Sequence, residues 1–349
     1  MKRRNRKTLS GSFCIVVQKY RCKICGSYFS SPIFGKERYD ADVVREAVEL
    51  YYDTRGSYRR VMKALMRRGV KVSHVQVYRW IDELGAKCKS TVDVARELRP
   101  RWSGFLGLDS KVVMVGGGEM LLLVAVDLGT QDLVHSSLVV HEDFETLSLF
   151  LRDLKRDIGY EPKIVVIDLD PAWIKVVREI FPAVPLQGCV VHVERIVDRA
   201  MPKRKRTREQ EDLKMLIRRV LYAETLKTSQ GAFRELLGRR YEWRDPPSMS
   251  AISTILDNYP ILTAHFQVKG SYRDNNVTES VIDKIETKLK IARGFKKENT
   301  AKNSLKLAIM HYRFNPFLSS KNGNNGKSPL MLAGVDTSKI NWIYYSQVT

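Results

Sequence analysis

Three acidic residues stand where carboxylates could do chemistry. Asp109 in GFLGLDSKVV and Asp168 in KIVVIDLDPAW sit at the ends of apolar runs that predict buried strands, and Glu279 in NNVTESVIDKIETKLK opens a predicted helix. A carboxylate at the end of a buried strand is unfavourable unless a positive group meets it, so a divalent metal ion is its natural partner. This pattern predicts metal-assisted phosphoryl transfer on nucleic acid.

The composition favours the same class of partner. The chain has 349 residues, with 60 Lys and Arg against 39 Asp and Glu, and a formal net charge of +21. Such a basic surplus favours nucleic acid, because neutralising phosphates releases counterions. No stretch has the roughly 18 consecutive apolar residues of a membrane span, and no apolar core follows MKRRNRK as in a signal peptide. We expect a cytoplasmic, nucleoid-associated prokaryotic protein without membrane contact.

Residues 1–38 are basic and are expected to be rich in loops. Cys22 and Cys25 in YRCKICGSYF form a C-x-x-C knuckle that is typical of one half of a zinc ribbon. Zn²⁺ in a structural site needs four ligands, and only Cys14 lies upstream. The knuckle is therefore either part of a zinc site or a reduced pair of thiols, and the sequence leaves both open.

Residues 39–85 show three helical periods. Ser57 and Ser73 are predicted N-caps of the second and third helices, and Gly69 ends the second. This order predicts a helix-turn-helix that binds DNA, although a plain three-helix bundle packed on the core remains an alternative. Two sets of exposed side chains would contact DNA: His74, Gln76 and Arg79 on the third helix, and Arg67, Arg68 and Lys71 around the turn.

After a connecting segment at 86–103, the pattern changes to an α/β domain at 104–315. Three apolar runs with tight turns predict an antiparallel meander, followed by a helix at 142–158, the strand KIVVIDL, a helix up to Pro182 and the strand PLQGCVVHV. This order is similar to the ribonuclease H-like fold, a mixed sheet, here with a helical insertion at about 194–260. The basic run at 202–208 is either a solvated loop or a DNA contact. A tail covers 316–349.

The ordered motifs together resemble a known family, the DDE transposases of the Mutator-like insertion-sequence type. The aspartates are 168 − 109 = 59 residues apart, and the glutamate follows after 279 − 168 = 111 residues. CVVHVERIV carries a C-x-x-H segment at Cys189 and His192. The resemblance covers about residues 39–335. One departure concerns the second aspartate, which is followed by Leu169 and Asp170 rather than glycine, so Asp170 is an alternative to Asp168.

The resemblance implies a transposase that cleaves DNA at element ends and joins it to target DNA with two Mg²⁺ (or Mn²⁺) ions. Asp109, Asp168 and Glu279 would hold the metal, and His192 would lie near the scissile phosphate. Lys290 and Arg293, downstream of the glutamate, would contact DNA.

The resemblance also implies partners and leaves alternatives. The partners are double-stranded DNA and further copies of the chain, as a homodimer or larger assembly. We expect Cys189 to be a packing residue, because no second ligand pair stands close in sequence. An inactive or domesticated DNA-binding protein, or a structure-specific nuclease of the same fold, are the alternatives.

Overall fold

The computed structural model describes residues 2–17, 19–30, 39–54, 56–291, 294–320 and 323–347. It begins with two antiparallel hairpins, in which β1 (Lys2–Thr8) pairs with β2 (Gly11–Val17) and β3 (Lys19–Arg21) pairs with β4 (Tyr28–Ser30). The expectation of a loop-rich start is therefore wrong. β1 has no apolar residue, so the alternation that predicts strands gives no signal there.

Three helices follow, at the positions that the periodicity predicts: α1 (Ala41–Asp53), α2 (Tyr58–Arg67) and α3 (His74–Ala86). Ser57 and Ser73 cap α2 and α3 as predicted, because their side chains accept hydrogen bonds from N–H groups of the first turn. A fourth helix, α4 (Thr91–Leu98), occupies the segment predicted as a connection. The capping box of Ser90 and Asp93 at its start is a helix signal that the sequence analysis missed.

A five-stranded mixed sheet forms the centre of the fold. Its strands are β5 (Phe105–Val115), β6 (Gly118–Asp127), β7 (Asp132–Val139), β8 (Ile164–Ile167) and β9 (Leu186–Gly188). In space the order is β7-β6-β5-β8-β9. The first three strands in the chain form the predicted antiparallel meander, and β8 and β9 add parallel to β5. The mixed α/β class is thus confirmed.

Two helices connect the parallel strands and cover one face of the sheet. α5 (Phe144–Arg156) precedes β8, and α6 (Pro171–Ile180) joins β8 to β9. Leu151 of α5 and Val177 of α6 are buried in one cluster with Leu108 and Val165 of the sheet. This apolar layer holds β8 against β5 and so determines where the residue after β8 lies.

The predicted strand PLQGCVVHV is shorter than expected. β9 ends at Gly188, and α7 (Val190–Ala200) begins almost at once. Val190, Val193 and Val197 recur at three- and four-residue steps and are all buried, which is the helical pattern. A short apolar run alone does not distinguish a strand from a buried helix, so the local pattern around His192 was misleading.

The insertion is helical, as predicted, and contains α8 (Arg208–Leu221), α9 (Leu226–Arg239) and α10 (Pro246–Leu262). Together with α7 these helices enclose an apolar core of their own. Within the basic run, the Arg206 side chain is only 4% exposed and pairs with Asp198 at 2.8 Å and Glu211 at 2.7 Å. Arg206 therefore stabilises the insertion and is not available to DNA.

The other face of the sheet packs on α11 (Asn276–Ile291), α12 (Glu298–Phe314) and α13 (Pro329–Leu332), and α14 (Trp342–Tyr345) packs on α12. This core also contains the apolar side chains of α1 to α3. A Cβ on Gly85 would lie 2.4 Å from the carbonyl oxygen of Asn303, so α3 and α12 are in backbone contact there. The three N-terminal helices thus share a core with the sheet.

No helix in the described ranges is long and apolar enough to cross a membrane.

Candidate active site

The first two candidate carboxylates lie beside each other on neighbouring strands. Asp109 is near the middle of the 11-residue strand β5, not at its end as predicted. The parallel strand β8 ends at Ile167, so Asp168 directly follows it. The register pairs Gly107 with Val166, and two further steps along both chains bring Asp109 level with Asp168. Asp109 therefore stands at the carboxyl edge of the parallel pair, although its own strand continues into the meander.

The alternative second carboxylate, Asp170, is engaged elsewhere. Its Oδ1 accepts hydrogen bonds from the N–H of Ala172 at 2.7 Å and of Trp173 at 3.3 Å. Asp170 thereby caps α6, as the sequence predicts. Asp168 instead lines an open cleft together with Asp109. The geometry favours Asp168 as the partner of Asp109.

Glu279 reaches the same cleft from the first turn of α11. Asn275, which is fully buried, fixes this helix start to the sheet, because its Nδ2 donates to the Leu108 carbonyl oxygen at 2.8 Å. Gly107 permits the close approach, since a Cβ there would lie 2.1 Å from Thr278 Oγ1 and 2.6 Å from Asn275 Oδ1. The helix that carries the third carboxylate therefore starts directly against β5.

Two basic side chains on α7 lie among the carboxylates. His192 and Arg195 are three residues apart and project from the same side of the helix. His192 Nδ1 lies 2.7 Å from Asp168 Oδ1, and its Nε2 lies 3.6 Å from Glu279 Oε1. The Arg195 guanidinium donates two hydrogen bonds to the Glu279 carboxylate, from Nη1 to Oε1 at 2.6 Å and from Nη2 to Oε2 at 3.1 Å. His192 and Arg195 thus contact two of the three candidate carboxylates, Asp168 and Glu279.

Burial and neighbouring charges shift the pKa values of this group. Burial, followed by the Asp168 carboxylate, raises the pKa of Asp109 to about 7. The guanidinium of Arg195 lowers the pKa of Glu279. Contact with Asp168 raises the pKa of His192 to about 10. Among the described residues, no basic side chain is in direct contact with Asp109, so burial and the neighbouring Asp168 carboxylate dominate its pKa.

Two overlapping sets of side chains could hold a metal ion. The oxygens of Asp109, Asp168 and Glu279 suit a hard cation such as Mg²⁺. Among the residues that the structure describes, one group of three has ligand atoms that all lie within 4.8 Å of one another, and it consists of Asp168, Cys189 and His192. The three carboxylates share a cleft but are more widely spread than this set.

Three residues of the site escaped the sequence analysis in part or in full. Arg195 was not singled out, although its position three residues after His192 places both on one helix face. Gly107 stands inside an apolar strand, a position where glycine signals a close backbone approach. Asn275 directly precedes the helix that Glu279 was predicted to open, and its side chain donates a hydrogen bond to β5, a contact that no local pattern indicated.

The side chains predicted to read DNA bases lie on α3, outside the cleft. Arg79 is exposed, but His74 and Gln76 are half-buried rather than exposed as predicted. His74 lies four residues before Tyr78 and so shares its helix face, which meets Thr300 of α12. Gln76 and Arg79, three residues apart, share another face. The structure therefore brings two of the three together.

The other predicted DNA contacts are basic residues at two places. Those near the turn are exposed and are Arg67, Arg68 and Lys71. Arg68 forms an ion pair with Glu46 of α1, which partly neutralises its charge. Lys290 belongs to α11, and Arg293 lies outside the described residues.

The predicted knuckle forms the loop between β3 and β4. The Cys22 N–H donates to the Ser27 carbonyl oxygen at 2.8 Å, and the Gly26 N–H donates to the Cys22 carbonyl oxygen at 3.0 Å. Hydrogen bonding to Ser27 lowers the pKa of the exposed Cys25 thiol to about 7. Within the described residues, Cys22 and Cys25 belong to no group of three metal-ligating side chains. Zinc at this knuckle thus remains a prediction.

The chain is similar to one family of proteins over most of its length. The sequence profile of the Mutator family of transposases matches residues 2–315. No curated protein matches the sequence. A cryo-electron microscopy structure of the simian T-cell lymphotropic virus intasome in complex with PP2A regulatory subunit B56 gamma matches 60% of this chain and 68% of that chain, at 12% identity and a TM-score of 0.22. A TM-score this low does not establish a shared fold. The family match spans nearly the whole sequence, and the chain therefore belongs to the Mutator family of transposases.

Proposed function

We propose that this protein cleaves DNA at the ends of a mobile element and joins the freed ends to target DNA. Membership of the Mutator family supports a nucleic-acid-processing enzyme. The observation that carries the proposal is the convergence of Asp109, Asp168 and Glu279 on one cleft from three distant parts of the chain. In a protein of formal net charge +21, an acidic cleft does not serve attraction of DNA. We infer that it serves chemistry.

The sheet supports a ribonuclease H-like assignment, which we include in the proposal. Three antiparallel strands are followed by two parallel ones, with helical connections, in the spatial order β7-β6-β5-β8-β9. That topology brings the middle of the first long strand level with the end of β8. Two carboxylates thereby meet where the parallel strands end, a usual position for ligand sites in α/β sheets.

The cleft fits Mg²⁺ or Mn²⁺. Asp168 Oδ1 is buried and, among the described residues, faces only the His192 ring nitrogen at 2.7 Å without an aligned hydrogen bond, and burial raises the pKa of Asp109 to about 7. Both features indicate a need for a cation beside these two side chains. Asp109, Asp168 and Glu279 would hold the metal, and their wide spacing suits two ions rather than one. When bound, the ions activate the attacking oxygen and stabilise the leaving oxygen in an in-line displacement at phosphorus.

The surrounding residues position the carboxylates and the DNA. Asn275 and Gly107 keep the start of α11 against β5, so that Glu279 faces the aspartates. Arg195 is held by Glu279, and its side chain is 45% exposed at the cleft. We propose that its guanidinium turns to a phosphate of the bound DNA once the oxygens of Glu279 are engaged by metal, because a guanidinium matches phosphate geometry in a two-pronged contact.

We further propose that DNA ends are bound through α2 and α3. Arg67, Lys71 and Arg79 are exposed there and would contact phosphates or bases. The packing of α3 on α12 leaves Arg79 exposed and Gln76 partly exposed on another face of the helix. A transposase must pair two element ends, so we propose that the active form is a homodimer or larger assembly on DNA.

A cleavage and strand-transfer assay tests the proposal. The substrate would be DNA that carries the inverted repeats flanking the gene, with full-length protein and Mg²⁺. We expect Asp109→Asn, Asp168→Asn and Glu279→Gln to abolish both steps while DNA binding persists, because each removes a metal ligand. Asp283→Asn, at the rim of the same cleft, is the matched control and should keep most of the activity.

The outcomes separate the alternatives. Products that are cut but never joined would indicate a structure-specific nuclease. DNA binding without either reaction would indicate an inactive or domesticated protein. Cleavage that survives Asp109→Asn would contradict the assignment of the acidic cleft, and loss of activity in Asp170→Asn with retention in Asp168→Asn would move the second ligand to Asp170.

A further inference from the structure

One group of side chains beside the acidic cleft is not explained by Mg²⁺ chemistry. Asp168 follows β8, Cys189 precedes α7, and His192 lies in the first turn of α7. The Cys189 N–H donates to the Ile167 carbonyl oxygen at 2.7 Å, which holds the end of β8 and the start of α7 together. One ligand atom from each of the three side chains lies within 4.8 Å of the other two.

The buried polar atoms of Asp168 and His192 face each other. Asp168 Oδ1 and His192 Nδ1 are both buried and have no hydrogen-bond partner among the described residues. They lie 2.7 Å apart, within ion-pair distance, although they are not aligned as a hydrogen bond. Each atom thus retains bonding capacity that a cation placed between them and the Cys189 sulfur would use.

The thiol is placed as a ligand rather than only as a packing group. Cys189 is fully buried, and its Sγ accepts a hydrogen bond from the backbone N–H of Asn275 at 3.3 Å. The sulfur is a soft donor for zinc-type cations, and it belongs to the same 4.8 Å group as the Asp168 and His192 atoms. The expectation that Cys189 only packs was based on the lack of a second ligand pair nearby in sequence, whereas the fold supplies Asp168 from a separate strand.

The donor set selects the cation. One sulfur, one imidazole nitrogen and one carboxylate oxygen suit Zn²⁺ and related borderline-soft ions, whereas Mg²⁺ prefers oxygen alone. Asp168 and His192 also line the cleft, so a fourth position would face solvent or substrate. Three protein ligands and one open position are the usual arrangement of a non-structural zinc site.

We propose that Asp168, Cys189 and His192 form a binding site for a zinc-type divalent cation, and that this cation inhibits the enzyme. Asp168 is shared with the proposed Mg²⁺ site, so its oxygens cannot serve both ions fully. The inhibition rests on the proposed function; the binding does not. Zinc would hold the enzyme inactive until it is removed or until Mg²⁺ displaces it.

Cobalt binding tests the site directly. Co²⁺ is a visible substitute for Zn²⁺ because thiolate ligation gives a charge-transfer absorption band. Since the knuckle thiols would give a similar band, the full-length protein should carry Cys22→Ser and Cys25→Ser, and should first be stripped of metal with a chelator. We expect one Co²⁺ per chain with a thiolate band in this background.

Variants within that background assign the ligands. Cys189→Ser should remove the band and weaken Co²⁺ binding at least about tenfold, and His192→Asn should weaken binding similarly. Glu279→Gln should retain the band, because Glu279 is not a ligand of this site. Circular dichroism identifies any variant that fails to fold, and His192→Asn then decides if Cys189→Ser does not fold. A band that survives Cys189→Ser, or no band in the background protein, overturns the proposal.

A competition experiment tests the inhibition. Zn²⁺ added at fixed Mg²⁺ should reduce cleavage in the Cys22→Ser, Cys25→Ser protein, and more Mg²⁺ should restore it. Adding Cys189→Ser should raise the Zn²⁺ concentration for half-inhibition at least about tenfold. If the Zn²⁺ concentration for half-inhibition of cleavage is the same with and without Cys189, inhibition through this site is refuted. If no variant cleaves DNA but the cobalt band behaves as described, the zinc site stands and the proposed function fails.

Discussion

Asp109 lies on β5, and Asp168 directly follows the neighbouring parallel strand β8. The register of the two strands places these aspartates level with each other. The parallel pairs Phe105–Ile164 and Gly107–Val166 are separated by the same number of residues as the two aspartates. Their carboxylates repel each other, which contributes to the raised pKa of Asp109. This relationship creates a place where a cation is favoured and where each acid depends on the other.

The first prediction concerns stability. Asp109→Asn should stabilise the chelator-treated protein by roughly 2–4 kcal/mol at about pH 8, because it removes a charge that burial disfavours. The raised folded pKa means that the stability supplied by this side chain is present below the ordinary Asp pKa and is lost as pH rises towards 7. The gain should therefore nearly vanish at about pH 4. Urea unfolding at both pH values measures it.

Asp170→Asn is the control for this experiment. This substitution alters the N-cap of α6 rather than the cleft. We therefore expect no comparable gain in the free energy of unfolding at about pH 8. An Asp109→Asn protein that is no more stable than the parent at about pH 8 would contradict the pKa shift and the charge repulsion inferred from it.

The second prediction concerns Arg195 as a competitor of metal. Arg195→Ala should raise the affinity for Mn²⁺ in the absence of DNA about two- to fivefold, since the exposed ion pair with Glu279 is worth no more than about 1 kcal/mol. The same change should weaken DNA binding. Electron paramagnetic resonance of Mn²⁺ gives the first quantity and fluorescence anisotropy the second.

Arg199→Ala makes the matched comparison, because Arg199 is also exposed on α7 but does not line the cleft. It removes the same charge and should change metal affinity less. Unchanged or weaker Mn²⁺ binding by Arg195→Ala would show that Glu279 is not restrained by this contact.

The third prediction concerns the approach of α11 to β5. Gly107→Ala should destabilise the fold by about 1–3 kcal/mol through overpacking, because its Cβ would collide with Thr278 and Asn275. It should also displace Glu279 and reduce cleavage more than the stability loss explains. Gly118→Ala is the control, since the nearest atom to its Cβ is 3.8 Å away. Thermal unfolding measures the loss of stability. The cleavage assay, at a temperature where both variants are folded, measures the loss of activity.

The fourth prediction concerns DNA binding by α2 and α3. Arg67→Ala and Arg79→Ala should each lower affinity for element-end DNA and reduce the slope of log affinity against log salt by about one if they contact phosphate. Arg234→Ala, exposed on α9 of the insertion and outside the basic run, removes the same charge elsewhere and should leave the slope nearly unchanged. Titrations by fluorescence anisotropy at several salt concentrations measure the slopes. Equal slopes for all three variants would argue against DNA binding at α2 and α3.

The sequence was sufficient to predict the helices, caps and strands that have a strong local signal. The apolar stripes of α1 to α3, the serine caps and the meander all formed as predicted, because periodicity and capping act over a few residues. Signals were absent or ambiguous elsewhere. β1 has no apolar residue, and the run that contains Val190 and Val193 suits a strand or a helix until it packs on the insertion.

By itself the sequence determined the kinds of residue available for chemistry, namely three separated carboxylates, a C-x-x-H segment and a strongly basic chain. Tertiary structure alone decided which of them meet. The β5–β8 register set Asp109 beside Asp168, the contact of α11 with β5 delivered Glu279, and the start of α7 placed His192 and Arg195 against them. Such contacts join residues far apart in the chain, and local propensities carry no information about register or helix docking.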